Sequence, residues 1–158
     1  MGGGSRGSRP SYASGGGVNR SLSEYPTSPV AGVKRAFISF HVADEAQVNL
    51  LRSQAKEGRT DLEFIDYSVK DPFDDHWRER CTERLLRSSV IIVMIGPETH
   101  TREAVLWEIN KAYALGKPVI GVRIYRDQNH TIPLPLIQNN ARIMDWETAE
   151  IQRAIDNI

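Results

Sequence analysis

One cysteine, Cys81, stands in the whole chain. It excludes an internal disulfide and any metal site built from several thiolates, and a lone thiol suits a reducing cytosol, so a cytoplasmic location is expected. Cys81 falls within a helical pattern and reads as a packed thiol rather than a reactive one. Long hydrophobic runs are also missing. No stretch approaches the roughly 20 apolar residues of a membrane span, and none near the start has the shape of a secretory leader, so no membrane partner is expected. The 20 basic side chains are matched by 20 acidic ones. Arg6, Arg9 and Arg20 stand against Glu24 in the first 33 residues, which leaves the remainder slightly acidic. A concentrated basic face for nucleic acid is therefore absent. The three aspartates and one histidine of Asp71-Pro-Phe-Asp-Asp-His-Trp77 have no spacing diagnostic of a metal, and neither a metal nor a cofactor is expected.

What is present divides in two. Residues 1–33 hold eight of the twelve glycines and seven serines with almost no periodic apolar content, the composition of a flexible tail or linker. Residues 34–158 alternate short apolar runs with amphipathic ones. Strands are expected at 35–40, 62–66, 89–95, 119–125 and 141–146. Helices are expected over 44–56, over 77–87, within 99–116 and over 148–158, with Gly58 and Gly116 just past two helix ends. Ser89–Ile95 is nearly continuous and β-branched, as in a strand covered on both faces. Alternation of this kind implies right-handed crossovers and a parallel sheet. The expected fold is a flavodoxin-like α/β three-layer sandwich, with five parallel strands in the order 2-1-3-4-5 and helices on both faces.

Within the stretch 99–116, Val105, Ile109 and Ala112 define a buried helical stripe. Glu108 falls beside it, between Ala112 and Leu115, so a carboxylate lies on the apolar flank of its own helix. Such an acid is costly to bury unless it is paired or functional; Glu108 is either a working carboxylate in a cleft or a structural one that caps a loop or pairs with a buried Arg. In sheets of this order ligands bind beyond the carboxyl ends of the strands, where the strand order reverses. That rule brings Ser39, Phe40 and His41, from the end of the first strand, close to the Gly96–Thr101 loop and the Glu108 helix that follow the third. Ser39 is a hydrogen-bond donor to a ligand or a small residue required by packing. Phe40 is a core residue or a stacking surface. His41 contacts an anion or simply faces solvent. Asp66 lines the crevice or caps the next turn.

Phe37-Ile-Ser-Phe-His41, Phe64-Ile-Asp66, Ile95-Gly-Pro-Glu-Thr99, Trp107-Glu-Ile109 and Gly116-Lys-Pro-Val-Ile-Gly-Val122 together resemble TIR and TIR-like domains. The resemblance is nearest to the TIR proteins of bacterial Thoeris anti-phage systems, and it covers about residues 34–158. It implies an enzyme that cleaves NAD+ between nicotinamide and ribose and makes a cyclic or modified ADP-ribose. That signal activates a separate effector protein. It further implies that Glu108 is the catalytic glutamate, that NAD+ is substrate rather than cofactor, and that the domain associates with itself through TIR surfaces. Ser39, Phe40, His41, Asp66, Trp77 and Gly96 are then the candidate substrate contacts. Trp77 stacks adenine, fills an interface or anchors local packing. One position departs from the pattern: many relatives carry an aromatic four residues before the glutamate, and here Ala104 stands there. Trp107 projects about 100° away, on the face of Glu103, Asn110 and Lys111. A non-catalytic adaptor that works by self-association is the alternative, since fold alone does not decide activity. A phosphoacceptor of the receiver type would need an aspartate where Gly96-Pro97 follow the third strand.

Overall fold

The computed structural model describes residues 32–65 and 76–158. Five strands, β1 (Lys34–Ser39), β2 (Leu62–Phe64), β3 (Val90–Ile95), β4 (Val119–Arg123) and β5 (Arg142–Asp145), form one sheet in the order β2-β1-β3-β4-β5. Every pairing is parallel. This is the expected flavodoxin-like arrangement. The helices are α1 (Glu45–Lys56), α2 (Trp77–Arg87), α3 (Glu103–Ala114), α4 (Leu134–Gln138) and α5 (Thr148–Asp156).

Alternation along the strands sorts the core into two halves. Ala36 and Ile38 of β1 and Val90, Ile92 and Met94 of β3 face α1 and α5, which bring Val48, Leu51 and Ile151. Phe37 and Ile91, Val93 and Ile95 point the other way, toward Cys81 and Leu85 of α2, Val105 and Ile109 of α3, and Leu136 of α4. All six residues of β3 are buried, as a central strand with helices on both sides requires. Phe40 and Trp146 pack against the first half of the core. Trp146 Nε1 also donates to Gln54 Oε1 at 2.9 Å, tying the end of β5 to α1.

Helix ends follow local chemistry. Gly58 and Gly116 take φ of +74° and +72°, the left-handed conformation that closes a helix. Just past Gly116, Lys117 reaches back to α2, its Nζ donating to Leu86 O at 3.0 Å and Ser88 O at 3.1 Å. Burial pulls this amine below its ordinary pKa. Two carbonyls at the α2 terminus would lose their donor in a Lys117→Met chain. That variant should lose about 1–2 kcal/mol in urea denaturation, with an unchanged m value.

Two features depart from the sequence reading. The stretch 99–116 is not one helix: Thr99–Thr101 form a 3-10 turn, Arg102 is extended, and α3 begins at Glu103. Gly96 N donates to Thr99 Oγ1 at 2.8 Å, and Thr99 Oγ1 bonds Met94 O at 3.3 Å. That local alternative outcompetes helix at its start. The polar, proline-containing stretch after β4 also contains α4, which packs Leu136 beneath β4 while leaving Leu134 and Ile137 exposed. Among the described residues no helix is long and apolar enough to cross a membrane.

Candidate active site at the carboxyl edge of the sheet

Ser39 is the last residue of β1, and by alternation it shares the face of Phe37, the face on which α3 packs. Glu108 lies one turn before Ala112 on α3. Both side chains are buried, Ser39 completely and Glu108 to within 4 %. Ser39 Oγ donates to Glu108 Oε2 at 2.5 Å. Sequence reasoning put these two residues at one crevice but not in contact. The bond spans 69 positions, and it is the parallel β1–β3 pairing, with Ser39 opposite Val93, that closes the distance.

Replacing the Ser39 hydroxyl by a methyl hydrogen (Ser39→Ala) hardly alters packing at a fully buried position. It does remove the donor that fixes the carboxylate. If Glu108 acts on a substrate, turnover should fall about 10- to 100-fold while the fold persists, which steady-state kinetics beside a thermal melt will show.

Gly96 follows β3 directly and is buried. A Cβ added there would lie 2.5 Å from Asp44 Oδ2 and 3.0 Å from Asp44 Cγ. Glycine is thus required so that the Asp44 carboxyl can rest against the loop backbone. Asp44 ends a 3-10 turn, Val42–Asp44, and precedes α1, yet its side chain makes no capping bond. It is 4 % exposed, and Oδ2 has no hydrogen-bond partner among the described residues. Burial raises its pKa, opposed by the charges of His41 and His130 and reinforced by Glu98. Asp44 escaped the sequence reading because an acid at a helix start passes for an ordinary dipole partner. The one available hint was Gly96, where the chain leaves room for something.

His41 sits at the same edge, its side chain mostly buried and its Nε2 3.6 Å from Glu98 Oε2. The carboxylate it meets is that of Glu98, which Arg102 also holds at 3.0 Å. Phe40 turns toward the α1 side of the core. Trp77 is buried in the α2–α3 contact, its ring 5.0 Å from that of Trp107 and inclined by 65°. Arg78 lies over both rings, at 5.5 Å and 5.7 Å. Trp107 is therefore a packing partner of the preceding helix, and Ala104 packs against the same half of the core. Asp66 and the loop to Asp75 lie outside the described residues. Among the described residues no group of three or more His, Cys, Asp or Glu is arranged to hold a metal ion.

The carboxyl edge of the sheet thus carries a buried Ser39–Glu108 pair on the α3 side and a buried Asp44 packed against Gly96 at the head of α1. A fixed carboxylate shielded from water interacts strongly with positive charge that develops beside it.

Comparison with known proteins bears on the family and the fold. The family described as "Thoeris protein ThsB, TIR-like domain" matches residues 37–129. Among solved structures, the TIR domain of the Toll-related receptor TRR-2 from Hydra magnipapillata superposes with a TM-score of 0.53 at 14 % identity. It covers 77 % of this chain and 91 % of that one. The Clostridium botulinum CMP N-glycosidase BcmB superposes with a TM-score of 0.51 at 16 % identity, over 78 % of this chain and 99 % of that one. At such identities these likenesses concern the fold. No curated protein sequence matches the chain. The family match spans more than half of the sequence and includes Ser39, Asp44, Gly96 and Glu108, and on it the chain belongs to the TIR-like family of the Thoeris protein ThsB.

Proposed function

We propose that this TIR-like domain cleaves NAD+ at the bond between nicotinamide and ribose and converts the remainder into a cyclic or modified ADP-ribose signal. The observation that carries the reading is the buried Glu108 carboxylate held by Ser39 at the carboxyl edge of β1 and β3. A structural neighbour named as an N-glycosidase supports it, because that fold accommodates scission of a base–sugar bond.

The chemistry asks little else of the protein. The bonding pair of the C1′–N bond leaves with nicotinamide, which departs neutral, so no general acid is needed. Positive charge gathers on C1′ and the ring oxygen, as in glycoside hydrolysis. A single ionised carboxylate stabilises that charge or holds the adjacent hydroxyls, and its burial strengthens the effect. A hydroxyl of the same ADP-ribose, or of a second acceptor, then attacks C1′ and loses its proton; where water is excluded this outruns hydrolysis. In this reading NAD+ is substrate, the product reaches a separate effector protein in anti-phage defence, and the domain associates with itself through TIR surfaces.

Mass spectrometry of nucleotides from infected and uninfected cells is the test, with wild-type and Glu108→Gln chains side by side. An ADP-ribose-derived species that needs Glu108 is the expected result. If infection engages the protein and neither chain alters NAD+ or its derivatives, the reading is wrong and the domain is an adaptor.

A further inference from the structure

Two nitrogen donors from different parts of the chain converge on one carboxylate oxygen. Glu98 Oε2 stands 3.0 Å from Arg102 Nη2 and 3.6 Å from His41 Nε2. His41 lies two residues past β1 and Arg102 immediately precedes α3. The oxygen thus joins the outer ends of the two elements that carry the buried Ser39–Glu108 pair. Backbone at His41 is extended (φ −82°, ψ 137°), which continues the alternation of β1 and puts His41 on the side of Ser39, about 7 Å farther out. Arg102 precedes Glu108 by six residues, about 9 Å along the helix axis. Both paths lead outward from the carboxylate by about the reach of one ribose and its 5′ oxygen.

As a fastening, the contact is weak. The Glu98 side chain is 59 % exposed, and exposed ion pairs contribute little to stability. It also uses the guanidinium poorly. Arg102 Nε is shut off from water and has no hydrogen-bond partner among the described residues. A planar fork of this kind is matched by an anion that accepts two bonds side by side, as a phosphate does. His41, its side chain mostly buried, is held in place to add a third donor. The position therefore offers more donors than Glu98 takes up. With Glu98 in it, however, the Arg102 charge is already cancelled, and the buried acid Asp44 closes the turn that begins at His41. A phosphate gains from this position only when Glu98 vacates it, and an exposed carboxylate turns out into solvent readily.

We propose that Glu98 is a built-in competitor for substrate. Its carboxylate occupies the position between Arg102 and His41 that the diphosphate of NAD+ takes on binding, next to the ribose whose bond to nicotinamide is cut. The assignment rests on the NAD+ reading above and adds to it the group that sets how tightly the resting domain holds its substrate.

Calorimetric titration of the full chain tests this with ADP-ribose, with inorganic pyrophosphate, and with nicotinamide riboside, which keeps base and ribose but carries no phosphate. Glu98→Gln removes the competing charge at an exposed position. It should tighten ADP-ribose and pyrophosphate by about tenfold and leave nicotinamide riboside unchanged. Loss of a merely structural contact does not improve affinity. Arg102→Gln in the Glu98→Gln chain should cancel the gain, and His41→Gln should reduce it. Unchanged or weaker binding in Glu98→Gln, a gain that survives Arg102→Gln, or an equal gain for nicotinamide riboside each overturns the assignment. Those outcomes leave NAD+ cleavage standing. Pyrophosphate bound as expected, with no affinity for ADP-ribose or NAD+ in either chain, would instead remove the NAD+ reading and with it the substrate named for this position.

Discussion

On the proposed NAD+ cleavage, Glu108→Gln should reduce nicotinamide release by about three orders of magnitude or more, with a Michaelis constant that changes far less. The substitution is close to isosteric and keeps an acceptor for Ser39 Oγ, so the 2.5 Å contact has a successor and α3 stays in place. What disappears is one negative charge in a site shielded from water, and that charge matters most when the ribose is most positive. Roughly 4 kcal/mol of transition-state stabilisation corresponds to a thousandfold in rate. Loss confined to kcat is the signature of an interaction made in the transition state. Glu108→Asp sharpens the test, because it keeps the charge and withdraws it by one methylene. A misplacement of about 1 Å costs roughly a hundredfold, so aspartate should fall between glutamate and glutamine. If both variants only raise KM, Glu108 binds substrate without assisting the chemistry.

Gly96→Ala should be strongly disruptive for the addition of a single methyl group. Its Cβ would stand 2.5 Å from Asp44 Oδ2 and 3.0 Å from Oδ1, distances that force movement. Asp44 has little freedom to retreat, being buried where the 3-10 turn joins α1. Overpacking of this kind costs about 1–3 kcal/mol, or roughly 3–10 °C in Tm for a chain of this size. The cause can be isolated with a second change. Asp44→Ala deletes the obstructing carboxyl, so Gly96→Ala/Asp44→Ala should regain most of the lost stability, a coupling of about 1 kcal/mol or more in a double-mutant cycle. Additive losses would mean that the methyl group clashes with the loop itself. Gly121 offers a contrast. Its added Cβ would meet Ile143 Cδ1 at 2.6 Å, the far end of a flexible side chain, which can turn aside.

Much of this architecture is legible in the chain because its signals agree. The run from Val90 to Ile95 is apolar throughout, as only a strand covered on both faces can afford. Val105, Ile109 and Ala112 recur with helical spacing, and Glu108 is conspicuous because it breaks the polarity of its surroundings. Positions whose meaning depends on distant partners were harder to read. Ser39 is a plain serine until β1 is set beside β3. Asp44 reads as an acid at a helix start until the structure shows its oxygen unpaired against Gly96. Leu134-Pro-Leu-Ile-Gln138 was hidden by two prolines and by its length, too short for periodicity to register, though proline suits a first helical turn. The late start of the helix, at Glu103 rather than Thr99, comes from Thr99, whose hydroxyl engages the backbone of Gly96 and Met94.

The edge-on pair of Trp77 and Trp107 has a use beyond holding α2 to α3. Two indoles at 5.0 Å couple their electronic transitions, so their circular dichroism and emission depend on how the two helices sit. Trp107 immediately precedes Glu108, while Trp146 lies in the opposite half of the core beside Gln54. Optical signals from the pair therefore watch the scaffold of the carboxylate directly, with Trp146 as an internal reference on the far side of the sheet. A ligand that repositions α3 would be visible in real time without any label, even in variants that turn nothing over.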